Sequence, residues 1–444
     1  MNRWVSLKPL PLWPVLFVFG AAFFLRLFFA PNVGPFPKDF ELFLETGRYG
    51  AEHGVSKLPD LYAERKWDVS YPPLLNYQMV AVTKIGANRV AALEKQYPYV
   101  AETWARVRHK SLPILYDMLT GLLILLLLVR LVAPPWPLLG AIFYLFNPCI
   151  FIDSAIWGHL DAIHSFFIAL VVLCLGLACD PQRDRWLVGA WLMFALATCA
   201  KLQSIVMFPP LAIMKLMRRS IPVTAAGVAA FLATVAACYS PFLIAQRWDY
   251  FQSVFVSSFT WTPFTHLNAF NFWGLGYVVP STNKILGIIS YVRIGQLAYI
   301  AAVLWLCFWL AKCGIARADR KEAMRKLFVA GAFASIAPFM LLTQMRERYI
   351  VPAMALLVIS ACLDPRLRAL LAGYSLTYTL NLLYVQHHVE AVGASAGDLA
   401  VVNAECFAIR MFGCLLNVAM FCWFTARLPG LLGEQPPPRE QAAA

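Results

Sequence analysis

Long apolar runs separated by short charged loops dominate this chain. They cover residues 12–30, 112–132, 136–152, 162–179, 186–200, 202–217, 221–245, 286–311, 327–342, 349–363, 368–385 and 405–426. A helix needs roughly 20 apolar residues to cross a bilayer, so the pattern predicts about twelve crossings. The two windows between 186 and 217 are the shortest. The expected fold is an all-α polytopic membrane protein, with 1–430 as one domain and 431–444 as a disordered tail ending in "QPPPREQAAA". Two longer segments, 31–110 and 246–285, interrupt the pattern, and the first carries helix-like periodicity suited to helices lying on the membrane surface.

Loop charges set the orientation. With the N-terminus inside, "RLVAPPW", "DPQRDR", "KLMRRS", "KCGIARADRKEAMRK" and "DPRLR" all fall on the cytoplasmic side, each bearing Arg or Lys as the positive-inside rule expects. The first run follows Arg3 and Lys8, exceeds the apolar core of a signal peptide and precedes no small-x-small site, so it reads as a retained helix.

Composition agrees: 60% of residues are hydrophobic and only 14% charged. The net charge of +13 is spread over loops without the interleaved aromatics of a nucleic-acid surface, so anionic lipid headgroups, not nucleic acid, are the expected partner. None of the eleven cysteines forms a C-x-x-C pair, and all sit in or beside apolar runs as small hydrophobes would. The lack of any N-x-S/T sequon favours a bacterial inner membrane.

The polar residues that do not serve solubility gather on the outer side. "PFPKDFELFLETG" places Asp39 and Glu41 at the start of a surface helix, where acids suit the helix N-terminus or could supply a general base. "WDVSYPPLL" places Asp68 and Tyr71 before Pro72-Pro73, a pair that fixes a turn. "NPCIFIDSAIWGHLDA" packs Asp153, Trp157, His159 and Asp161 between two apolar runs, either to bond helix ends or to hold hydroxyls against an aromatic face.

"CAKLQS" offers Lys201 and Gln203, and the lysine either snorkels or meets an anion. "HLNAFNFW" offers His266, Asn268 and Asn271, whose amides suit helix ends equally well. "QMRERYIVP" offers Arg346, Glu347 and Arg348, either an interfacial ion pair or a guanidinium grip on phosphate.

An enzyme moving a sugar from a lipid phosphate needs a base, cations for the leaving phosphate, polar and aromatic groups for the sugar and an apolar groove. The chain has candidates for all four, and it lacks the G-x-G-x-x-G loop and D-x-D pair of a nucleotide-sugar enzyme. Five stretches in order, "PKDFELF", "DVSYPP", "NP…WGHLD", "NAFNFW" and "RERYIVP", spanning about 37 to 352, resemble the GT-C superfamily of polytopic glycosyltransferases. Those enzymes use polyprenyl- or dolichyl-phosphate sugars; the bacterial and archaeal mannose-type and the dolichyl-phosphate-glucose members are the most similar in pattern.

The resemblance implies a catalytic carboxylate at Asp39 and phosphate-side cations at Arg346 and Arg348. The outer-face residues themselves suggest the rest: Glu41 supports the base, Lys201 joins the phosphate side, and Asp68, Tyr71, Asp153, Trp157, His159, Asp161, Gln203, His266, Asn268, Asn271 and Glu347 surround sugar or acceptor. The implied partners are a polyprenyl-phosphate sugar donor and a lipid or glycan acceptor, with no cofactor and no metal. Three departures stand out: His159 where relatives often have Gln, Arg346 where many have His, and "KLQ" in place of a common "KPQ". A lipid transporter or flippase is the alternative; it predicts internal repeats and charges near the midplane.

Overall fold

The computed structural model describes residues 11–32, 34, 37–65, 71–180, 183–218, 220–260, 263–315, 318–392 and 404–433. Asp68 and the tail beyond 433 lie outside the described residues. The fold is mainly helical. Six helices are long and apolar enough to cross a membrane: α1 (Leu12–Phe29), α6 (Pro98–Leu128), α12 (Ile221–Ile244), α14 (Tyr291–Lys312), α15 (Arg320–Leu341) and, in α18 (Ala404–Leu432), the stretch Phe407–Leu432. A seventh is present if the bent pair made by α7 (Trp136–Leu145) and the segment Pro148–Trp157 counts as one span. That segment comprises α8 (Pro148–Phe151) and a π-helical turn, Ile152–Trp157, and it meets α7 at 44°.

The other apolar windows also lie on helices, but shorter or more polar ones: α9 (Asp161–Leu177), α10 (Arg185–Ala200), the 3-10 turn Leu202–Met207 running into α11 (Phe208–Arg218), α16 (Val351–Leu363) and α17 (Arg368–Val392). Hydropathy alone registers any apolar helix, whether it faces lipid or protein. α16 is apolar apart from Ser360 and every residue of it is buried, so its hydropathy serves a protein core.

Burial sorts the long helices. In the most apolar stretch of α15, 89% of residues are buried, whereas in α12 only 6% are. On α1 the buried residues are Val18, Ala22 and Arg26, a stripe at four-residue spacing, while Leu12, Trp13, Phe17, Phe24 and Phe28 point outward. Such faces suit lipid contact. At the centre, α15 packs between α9 and α16. A Cβ at Gly331 would come within 2.9 Å of Val172, so glycine sets how closely α15 and α9 approach.

The first outer segment folds as α2 (Pro37–His53), α3 (Leu58–Glu64), α4 (Pro73–Lys84) and α5 (Ala87–Gln96), with α4 starting at the second proline of "YPP", where a fixed φ suits the first helical turn. After α12 comes α13 (Trp248–Thr260), followed by a non-helical strap. Here the all-helical expectation needs correction. β1 (His266–Leu267) pairs in parallel with β4 (Met345–Arg346), and β2 (Lys284–Ile285) pairs antiparallel with β3 (Ile289–Ser290). Asn268 and Gln344 adopt left-handed backbone angles, φ 58° and 66°, at opposite ends of the first pairing, which confines it to two residues.

The charged loops meet at the end opposite the strap. Arg320 reaches Asp180 at 3.4 Å, and Arg325 reaches Asp364 at 3.1 Å and the Gly433 carbonyl at 2.8 Å.

Candidate functional site

α2 presents Asp39 in its first turn, and the turn after β4 presents Arg348. Across 307 and 309 residues of chain, Asp39 Oδ2 meets Arg346 Nη1 at 3.5 Å and Arg348 Nη2 at 3.3 Å. Arg348 is shared further. Its Nη1 donates to Glu347 Oε1 at 2.9 Å and its Nε stands 3.8 Å from Asp161 Oδ2. Asp161, first residue of α9, also takes the Lys201 ammonium, which lies 4.8 Å from the centre of the Tyr349 ring. Three cations and three carboxylates from α2, α9, the end of α10 and the β4 turn thus form one network.

Glycine makes the approach possible. Gly158, at φ 76°, ends the π-helical turn, and a Cβ there would stand 2.9 Å from both Phe40 of α2 and Lys110 of α6. The Lys110 ammonium donates to the Asn32, Ala155 and Ile156 carbonyls, clamping the chain before α2 to this turn.

The network borders a cavity of about 330 Å³, within the range of small-molecule sites. Its polar wall includes His159, Asp161, Lys201, Gln203 and Arg348, and Phe43 and Tyr71 form an aromatic corner with ring centres 5.3 Å apart. The remaining wall is largely apolar, with Ile168, Val206, Tyr299 and Phe339 among its residues. Burial, followed by the Arg348 and Lys201 charges, holds His159 well below the usual histidine range. Burial and then the Asp39 carboxylate push the Tyr71 phenol up. For Arg348, burial opposes the charge, but Glu347 and Asp39 outweigh it and hold the guanidinium well above its ordinary value.

Of the residues singled out from sequence, Tyr71, His159, Asp161, Lys201, Gln203 and Arg348 line the cavity, while Asp39, paired with Arg346 and Arg348, adjoins it without lining it. Asp153 is buried nearby, its backbone carbonyl accepting from His159 N at 3.0 Å, and Trp157 stacks edge-on to His159 while donating to Gln386 at 3.1 Å; neither lines the cavity.

Others are placed differently. Glu41 is exposed, because two residues along a helix rotate a side chain by about 200° from Asp39. Glu347 is buried against Arg348 and holds that arginine instead of lining the cavity. His266, Asn268 and Asn271 do not reach the cavity: Asn271 bonds the Phe339 carbonyl and Gly274 N, and the Asn268 carbonyl accepts from Asn381, so the motif fastens the strap to α15 and α17.

Sequence reasoning missed Phe43, Lys110, His164, Ser335 and Tyr349. Helical spacing carried a signal for two of them, since Phe43 follows Asp39 by four residues and His164 follows Asp161 by three. Among the described residues no group of three or more His, Cys, Asp or Glu lies at metal-binding distance. Neither protein-family models nor curated protein sequences match the chain.

Proposed function

We propose that this protein is an inverting, metal-independent membrane glycosyltransferase of the GT-C type. It moves a hexose, mannose-like in keeping with the family resemblance, from a polyprenyl-phosphate donor to a lipid or glycan acceptor. In this reading all twelve apolar windows belong to the bilayer-embedded body, the membrane is a bacterial inner membrane, and the site opens on its outer face.

One observation carries the reading: Asp39 shares Arg346 and Arg348, beside the Lys201–Asp161 pair, at the polar edge of a cavity whose remaining wall is apolar. Asp39 takes the proton of the acceptor hydroxyl as its oxygen bonds to the anomeric carbon. The bond from that carbon to the phosphate oxygen breaks, and the lipid phosphate leaves with the electron pair. Arg348 and Lys201 stabilise the charge that develops there. Arg348 stands between Asp39 and Asp161, so an arriving phosphate that recruits this guanidinium loosens its hold on Asp39, which keeps Arg346 beside it while it acts as base.

The test is consumption of polyprenyl-phosphate hexoses and pentoses by the purified protein with a mixed membrane-lipid acceptor pool, beside Asp39→Asn. The expected result is use of one donor by the wild type, and binding without turnover by the variant. If no donor binds, the transferase reading fails and lipid translocation takes its place.

A further inference from the structure

Two polar groups on the cavity wall have no part in that chemistry. His164 lies one helical turn along α9 from Asp161 and is 2% exposed. Its Nδ1 stands 4.0 Å from Asp161 Oδ1, beyond hydrogen-bond distance, and has no hydrogen-bond partner among the described residues. Ser335, on α15, is 3% exposed, and its Oγ likewise has no partner among the described residues. Both residues line the cavity, as does Gln296 of α14.

Buried polar atoms are nearly always hydrogen-bonded, because an unmet donor or acceptor gives up its water without compensation. Two of them on one cavity wall identify a place where the partner comes with a ligand. The chemistry of that ligand follows. An isoprenoid chain has no hydrogen-bonding atoms and would leave both groups unmet. A sugar ring carries hydroxyls that both donate and accept, matching an imidazole nitrogen and a serine hydroxyl. Size points the same way: about 330 Å³ suits a sugar ring and its phosphate, not a long polyprenyl chain.

We propose that His164 and Ser335 form a hydroxyl-reading subsite that seats the donor's sugar inside the cavity, next to the phosphate cations Lys201 and Arg348. The polyprenyl chain then lies outside, against the lipid-facing helices. This rests on the transferase reading and deepens it by assigning the cavity to the sugar and not to the lipid.

The experiment measures binding of three probes, polyprenyl phosphate, polyprenyl-phosphate mannose and polyprenyl-phosphate glucose, to nanodisc-embedded wild type, His164→Leu, His164→Gln and Ser335→Ala. Wild type is expected to prefer a sugar-bearing lipid over the bare phosphate. His164→Leu and Ser335→Ala should each weaken that lipid about fivefold, the worth of one hydrogen bond, with bare polyprenyl phosphate unchanged. His164→Gln, which keeps a donor and an acceptor, should retain most of the preference.

Equal weakening of all three probes, or no weakening, overturns the subsite and leaves the transferase reading standing. Failure of wild type to bind any of the three overturns the transferase reading and the subsite with it. Should His164→Leu not fold, Ser335→Ala, which removes a single oxygen, decides alone.

Discussion

Removing the Arg348 side chain tests the network most directly, because the cost follows from its geometry whatever the substrate. Its guanidinium is 5% exposed and faces Glu347 at 2.9 Å, Asp39 at 3.3 Å and Asp161 at 3.8 Å. In Arg348→Ala, Asp161 keeps Lys201 and Asp39 keeps Arg346, but Glu347, 2% exposed, keeps no ion-pair partner among the described residues. Stranding one member of a buried pair costs about 3–5 kcal/mol. The same change at Arg346, whose side chain is 14% exposed and meets Asp39 at 3.5 Å, should cost less than Arg348→Ala.

The decisive comparison is the double variant Glu347→Gln/Arg348→Ala, which removes the stranded charge and should recover about 1–3 kcal/mol relative to Arg348→Ala alone. Unfolding of the detergent-solubilised protein can be followed with a thiol-reactive dye, since Cys149, Cys174, Cys199 and Cys414 are buried and become reactive as the fold opens. A double variant no more stable than Arg348→Ala would show that Glu347 is not held by this guanidinium, and the network as drawn would be wrong.

Asp39→Asn should lower turnover about 10²–10⁴-fold, the usual contribution of a general base, while donor affinity stays near wild type; equal loss of binding would make Asp39 a binding group only. Burial, then the Arg410 charge, push His266 down to about 4, against about 6.5 in an unfolded chain. As pH falls the unfolded state takes up this proton first, so stability should drop between about pH 6.5 and 4 by up to about 3 kcal/mol, and His266→Gln should flatten that slope in unfolding measured across the range. Arg26 and Asp117, both fully buried and 3.1 Å apart, join α1 to α6, with Ser154 and Tyr144 also bonded to the aspartate. Asp117→Ala should cost about 3–5 kcal/mol, and Arg26→Met/Asp117→Leu should be closer to wild type in the same unfolding assay.

The apolar windows were legible because hydropathy acts locally, and each of them lies mainly on helix, although the one at 286–311 begins in the β2–β3 hairpin. What they could not reveal is which face meets lipid: α12 and α16 are comparably apolar, yet few residues of the first are buried and every residue of the second is. The strap was illegible for a related reason. "HLNAFNFW" looks like a ligand motif because its amides are polar, but Asn271 donates to the Phe339 backbone carbonyl of α15, and the Asn381 side chain of α17 bonds the strap's backbone at Asn268 and Phe270; these partners come from distant sequence, and no local pattern records that satisfaction.

The site itself was half legible, and the division has a physical cause. Asp39, Asp161, Lys201 and Arg348 are expensive to place among apolar sequence, so their presence alone marked them. Whether such a group serves ligand or scaffold depends on the geometry of its partners. Glu347 and Arg348 are adjacent in sequence and equally conspicuous, yet the arginine faces the cavity and the glutamate is spent on holding it. His164 and Ser335 show the converse: each is unremarkable within its apolar helix, and what distinguishes them is a place in a cavity wall without a hydrogen-bond partner among the described residues. The groups with the strongest sequence signal are therefore those already bonded to one another, and the groups with the weakest are the ones whose bonding capacity remains for a ligand.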